Sequence, residues 1–254
     1  SLFKWNGVAE KEFVGLSNYI NLFTNDATFM VALKNNLIWI VLTIVLLMTV
    51  SLGFAVILNK QFRGRTVFRA FFYFPCVIAP IAVAIIWRWI YNPNIGFINQ
   101  FFKVLGINFK QTWISDPKVS LYAIFAAALW QGIGQPMILF LAGLQGIPKD
   151  QYEAASVDGA NKWNQFLFIT LPGLKGTIKY VVMITMIQAM KLFTQPYIMT
   201  QGGPKNSTKT LVYYIYTQGF QKGNFGYACS IATVFFMIVV CMSMAMKKVT
   251  AATD

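Results

Sequence analysis

The chain has 254 residues, of which 57% are hydrophobic and 11% charged, with a net charge of +13 and a mean hydropathy of +0.56. Soluble domains carry about a quarter of their residues as charges, so this composition excludes an ordinary soluble enzyme or a nucleic-acid-binding domain. The basic excess, with no long basic run and no aromatic–basic repeat, reads as loops beside anionic lipid.

Residues 1–31 show only short amphipathic character, as in "LSNYINLF". Uncharged blocks then follow at Asn35–Asn59, Ala70–Trp87, Val119–Pro148, Tyr180–Met190 and Gly223–Met246. A bilayer core needs about 20 apolar residues per helix, so the blocks predict an all-α polytopic membrane protein. Its five transmembrane helices fall at about 33–58, 70–91, 119–144, 177–199 and 227–246. Five spans leave the termini on opposite sides, and a first helix ahead of Ser1 is expected, making six in the intact protein. Lys60, Arg63, Arg65 and Arg69 crowd the 59–69 loop, and Lys247 and Lys248 follow the last block. Basic loops stay inside, so 59–69 and 145–176 are expected to be cytoplasmic, with 92–118 and 200–226 outside. Trp87, Trp89 and Tyr91 surround Arg88 in "WRWIY", the pattern of an interfacial aromatic belt with a snorkelling arginine.

Chemistry-bearing groups are sparse. No histidine is present, which removes the commonest metal ligand and general base. Cys76, Cys229 and Cys241 have no metal spacing and read as packing residues. No metal, cofactor or enzymatic activity is expected. No carboxylate lies inside the five blocks, which disfavours a proton-driven carrier or an intramembrane enzyme. No Gly-x4-Gly-Lys-Ser/Thr phosphate loop is present, so any ATP chemistry resides on another polypeptide.

The most specific signal is "EAASVDGANKWNQFLFITLPGLK". Glu153-Ala154-Ala155 is followed after three residues by Gly159, after nine more by Ile169, and then by Leu171-Pro172. This resembles the cytoplasmic "EAA" loop of bacterial binding-protein-dependent ABC importer permeases. "GLSNYINLF", "YNPNIGFINQFF" and "YIMTQGGPKNSTKTLVYYIYTQGF" resemble the carbohydrate-uptake branch, and within it the first, maltose-type permease. The resemblance implies a single transmembrane domain over 1–254, with a cytoplasmic coupling loop at 145–176. It further implies a coupling helix that docks into a cytoplasmic ATPase, carried here by Glu153, Ala154, Ala155, Asp158 and Gly159. Small alanines suit insertion into a cleft, and Gly159 suits a sharp turn. The implied partners are a second homologous permease, two ATPase subunits, an extracytoplasmic solute-binding protein, membrane lipid and an oligosaccharide, all at the bacterial cell membrane.

Polar residues inside spans are the substrate candidates. In "WQGIGQP", Trp130 offers a stacking ring, Gln131 and Gln135 are spaced i,i+4, and Gly132, Gly134 and Pro136 loosen the helix. In the next span Gln188, Lys191 and Gln195 are expected on one helical face, with Lys191 about 12 Å from its outer end at 1.5 Å per residue. An ammonium at that depth points to a cavity, an anionic partner or an acidic oligosaccharide. Interhelical hydrogen bonding is the competing role for the glutamines. A permease for another solute, such as a glycerol phosphate ester, shares the fold, and a secondary carrier is the reading from a different class.

Overall fold

A computed structural model describes residues 1–8, 10–107 and 111–251. A short antiparallel hairpin, β1 (Phe3–Lys4) with β2 (Glu12–Phe13), is the only sheet among the described residues. The other elements are helices: α1 (Ser17–Thr24), α2 (Ala27–Asn59), α3 (Arg65–Val77), α4 (Pro80–Ile90), α5 (Phe97–Val104), α6 (Ser120–Gly132) and α7 (Gly134–Gln145). Then follow α8 (Lys149–Val157), α9 (Lys162–Gly173), α10 (Lys175–Met190), α11 (Leu211–Tyr216) and α12 (Phe225–Ala251). Helices α2 and α12 are each long and apolar enough to cross a bilayer; counting each bent pair as one span brings the number to five.

A bend and a helix end correct two of the predicted spans. Residues 70–91 do not form one rod: α3 and α4 meet at 98°. Ile78 and Ala79 are both extended, and Pro80 opens α4. Proline disfavours the α region for the residue before it, so the chain turns there despite being apolar throughout. Helices α6 and α7 bend by 45°, where the glycine pair and Pro136 had suggested loosening. Beyond α9, which meets α10 at 66°, the predicted 177–199 helix stops at Met190, and a five-residue π turn, Pro196–Thr200, follows after a gap.

The chain divides into two compact units. One comprises Leu42–Ile78 and Leu129–Met186. Its core joins Met48, Ala55 and Leu58 of α2 to Met137, Phe140, Leu141 and Leu144 of α7, and to Val181 of α10. Gly134 permits a close backbone approach: a Cβ there would sit 2.7 Å from the Tyr73 Cα and 2.8 Å from the Phe72 carbonyl oxygen of α3. Lipid is as apolar as leucine, so such packing is held by close contact and by hydrogen bonds rather than by expulsion of water. Ser51 donates to the Ile133 carbonyl (3.1 Å) at the α6–α7 bend. Arg69 donates to the Leu58 carbonyl at the end of α2 (2.8 Å), where a cation complements the exposed carbonyls of a helix C-terminus.

The other unit comprises Ser1–Val41, Ala79–Ala128 and the residues from Ile187 onward. Leu22, Phe29 and Ala32 pack with Leu211, Tyr214 and Ile231, and Trp39 meets Phe125 edge to face at 5.2 Å. Asp26 collects three donors: Tyr214 and Tyr227 hydroxyls at 2.5 and 2.6 Å and the Phe29 amide at 2.9 Å. Tyr91, expected in an interfacial belt, is buried instead, its hydroxyl donating to the Ala123 carbonyl (2.8 Å). Cys229 and Cys241 are exposed rather than packed.

Candidate functional site

The EAA residues sit on and just after α8. The nine-residue helix opens after Pro148, carries Asp150 in its first turn where the helix dipole favours an acid, and buries none of its residues fully. Glu153, Ala154, Asp158 and Gly159 are exposed and Ala155 is half-buried. Gly159 has φ +78°. Its amide donates to the Ser156 carbonyl (3.2 Å), and the Ala160 amide donates to the Ala155 carbonyl (2.8 Å). These two bonds make a Schellman stop, which needs a left-handed residue at the position Gly159 holds. The sharp turn anticipated at Gly159 is therefore present.

The loop is tied back on itself. Asn161 caps α9 by accepting from the Asn164 amide (2.8 Å). Gln165 is buried, and its amide donates to the Ser156 hydroxyl (2.8 Å) and the Ala160 carbonyl (3.2 Å) while its oxygen accepts from Lys162 (3.1 Å). Tyr152 reaches the Thr170 hydroxyl at 2.9 Å. What remains outward carries Asp150, Glu153 and Asp158, with Lys149 and Lys162 beside them, and several apolar side chains. Val157 is 87% exposed, Trp163 66% and Phe168 75%, with Trp163 stacked on Phe166 at 5.7 Å. Sequence reasoning singled out the small and acidic residues and missed these three. Their signal was a cluster of large apolar side chains in a segment too polar to be a span.

The substrate candidates separate into two groups, one in each unit. In the first, Gln131 is only 9% exposed; its side-chain amide donates to the Ile78 carbonyl (3.0 Å), left free where α3 ends, while its own carbonyl accepts from the Cys76 thiol. Gln131 thus makes the interhelical bond that was its competing role. Gln135 is exposed. The i,i+4 rule assigns two residues to one face only along a continuous helix, and the bend at Ile133 falls between this pair. Trp130, at 39% exposure, also presents itself outward.

In the second group Gln188 is exposed on the last turn of α10, Lys191 is exposed just beyond it, and Gln195 is half-buried ahead of Pro196. They do not share a helical face, because the helix ends at Met190. Lys191 thus stands at a break rather than within a helix. It makes no ion pair among the described residues. Two residues the sequence reading passed over organise this break. Asn36 is 1% exposed, donates to the Met190 carbonyl (3.3 Å) and accepts from the Leu211 amide (2.8 Å). Asn35 donates to the Asn206 and Lys209 carbonyls at 3.0 and 2.9 Å. Adjacent asparagines in an apolar run were the available signal, since amides are costly there unless partnered.

Residues 49–246 match the family described as "Binding-protein-dependent transport system inner membrane component". The chain belongs to that family. It is similar to the probable ABC transporter permease protein YurN of Bacillus subtilis, 35% identical over 252 residues that cover 98% of this chain and 86% of the relative. It is likewise 34% identical, with the same coverage of each chain, to the multiple sugar-binding transport system permease protein MsmF of Streptococcus mutans. In fold it resembles a solved bacterial ABC transporter involved in the import of the acidic polysaccharide alginate, with a TM-score of 0.87 over 94% of this chain and 84% of that one, at 21% identity. The all-helical importer-permease fold and the family resemblance expected from the EAA pattern are borne out.

Proposed function

We propose that the chain is one transmembrane subunit of an ATP-driven importer of oligosaccharides, and that α8 with its Schellman turn is its coupling element. The observation that carries this reading is the exposed, self-braced loop around Glu153 and Gly159 in a member of a binding-protein-dependent transport family. A partner ATPase would receive Glu153 and Asp158 on basic groups and Val157, Trp163 and Phe168 in an apolar cleft. Charge complementarity of this kind sets register and encounter, and buried apolar anchors set affinity. A second homologous permease, two ATPases and an extracytoplasmic solute-binding protein would complete the assembly. ATPase closure would pull on α8, and the cross-tied α8–α9 loop would pass that displacement to the bent helices of its own unit. Carbohydrate as the cargo class is supported by relatives such as MsmF, whose name specifies multiple sugar binding.

An acidic cargo is favoured by one further observation. Lys191 is exposed at a helix break and has no carboxylate paired with it among the described residues. Its ammonium would meet a uronate carboxylate, while Gln188 beside it would bond hydroxyls of the same sugar.

The test is reconstitution with the ATPase and binding protein in vesicles. ATP-dependent uptake of a labelled oligosaccharide is expected, with Glu153→Lys lowering ATPase co-purification. Uptake that needs no ATPase would overturn the importer reading in favour of a carrier. For cargo charge, Lys191→Gln should weaken uptake of a trigalacturonate more than of maltotriose, and equal loss for both would remove the acidic reading.

A further inference from the structure

The backbone on either side of Lys191 is held from two directions. Met190 and Leu192 are both buried, whereas Lys191 between them is exposed. The carbonyl of Met190 accepts from the Asn36 side chain of α2, and the carbonyl of Leu192 accepts from the Thr210 hydroxyl (2.7 Å). Thr210 is fully buried and also caps α11, accepting from the Tyr213 amide. Neither carbonyl has the partner a continuing helix would provide. Leu192 would need the amide of Pro196, which proline lacks. Met190 would need that of Thr194, beyond the point where the helix stops. Chain ends of this kind cannot be left bare in a water-poor interior. Asn36 and Thr210 therefore occupy the two acceptor positions that flank one cationic residue.

We propose that Asn36 and Thr210 are positioning residues for Lys191. By fixing the peptide groups before and after it, they set the direction in which its ammonium leaves the break. Asn36 reaches further: its oxygen accepts from the Leu211 amide, so the same side chain joins the end of α10 to the start of α11. A shift of α2 or of α11 would then change the reach of Lys191 without any residue in contact with cargo moving of its own accord. Asn36 lies ahead of the 49–246 stretch that matches the family. The functional weight of the proposal rests on the reading of Lys191 as a substrate contact; its geometric content does not.

The experiment uses the assembled importer in vesicles, with Cys76, Cys229 and Cys241 each replaced by serine and Lys191→Cys added. The rate of modification by a negatively charged methanethiosulfonate reagent reports how residue 191 is presented and needs no knowledge of the cargo. Thr210→Val and Asn36→Leu should each change that rate about threefold or more, in keeping with the coupling seen between residues that share a network. Thr210→Ser, which keeps the hydroxyl, should restore the parental rate. Rates unchanged by both Thr210→Val and Asn36→Leu would overturn the proposal, as would failure of Thr210→Ser to rescue. A second measurement separates positioning from general support. With Lys191 in place, Thr210→Val should raise KM for the transported trisaccharide more than it lowers kcat. In a Lys191→Met background that KM effect should vanish. An equal KM effect in both backgrounds would assign Thr210 a purely structural part and defeat the proposal. If Lys191→Met alone leaves KM untouched while the modification rates respond, the substrate-contact reading of Lys191 fails and the positioning of the residue stands.

Discussion

Two stretches of the chain stop a helix, and they do so by opposite means. At the end of α8 the stop is written within a few residues: Gly159 takes the left-handed turn, and its amide and that of Ala160 close on carbonyls three and five positions back. At the end of α10 the stop is completed from far away. Asn36, which caps the Met190 carbonyl, is 154 positions distant in the chain, and Thr210, which caps Leu192, is 18. A local stop travels with its own segment and can be presented whole to a partner. A distant one depends on the helices that supply its caps, and it moves when they move. The first suits a surface that must be gripped, the second a surface that must respond.

The largest effect should follow from attacking the local stop at its one irreplaceable atom pattern. Gly159→Val forces a β-branched residue into a left-handed conformation, at about 1–2 kcal/mol of backbone strain. Because the turn orients Glu153, Asp158 and Val157 together, uptake should fall by about tenfold or more, as 1.4 kcal/mol corresponds to tenfold in an equilibrium. Gly159→Asn should retain more activity, because asparagine tolerates that region better than valine. Co-purified ATPase and uptake, measured side by side, check both variants; equal behaviour of the two would deny the turn its role.

A smaller loss should come from the brace behind the turn. Gln165→Leu removes the amide that serves the Ser156 hydroxyl and the Ala160 carbonyl. Ser156 is exposed and Ala160 half-buried, so each lost bond costs about 0.5–1.5 kcal/mol, and thermal unfolding of the purified complex should move down accordingly, with ATPase binding weakened less than by Gly159→Val. The smallest effect belongs to the distant stop. Pro196→Ala restores the missing amide, yet Thr210 already serves the Leu192 carbonyl. Stability should therefore change by less than about 1 kcal/mol, the net worth of an ordinary hydrogen bond. Hydrogen exchange at 192–194 should not slow relative to the parent protein. Protection appearing there would mean that the proline alone had made the break.

The same contrast explains how much was legible in advance. Apolar blocks were readable because a bilayer demands them at a set length; two helices are long and apolar enough to cross one, and five spans result if each bent pair counts as one. Their directions were not, because apolarity reports the solvent and says nothing of where the backbone turns. Pro80 marked the 98° bend between α3 and α4, but a run without charge from Ala70 to Trp87 concealed it. The α8 stop was readable from Gly159 for the reason given above: its partners are neighbours. Gln131 and Gln135, and likewise Gln188, Lys191 and Gln195, were grouped by helical spacing, a rule that foresees neither the 45° bend between the first two nor the end of α10 at Met190. Asn36 was invisible as an organiser because its partners lie on other helices, and no spacing rule connects them.

The bond between Cys76 and the Gln131 carbonyl has a practical bearing on protein engineering. Cysteine-free versions of membrane proteins are commonly made with alanine, and at Cys229 and Cys241, both exposed, alanine and serine should be interchangeable. At Cys76 they are not. The sulfur is wedged against Gly134, where an added Cβ would come within 2.9 Å of it, and its hydrogen serves the Gln131 carbonyl beside the bend between α6 and α7. Serine keeps a donor in a smaller volume, whereas alanine keeps the volume small and discards the donor. A cysteine-free scaffold built with alanine at this position would carry a hidden fault at a bent junction, and labelling experiments performed on it would report a molecule already altered.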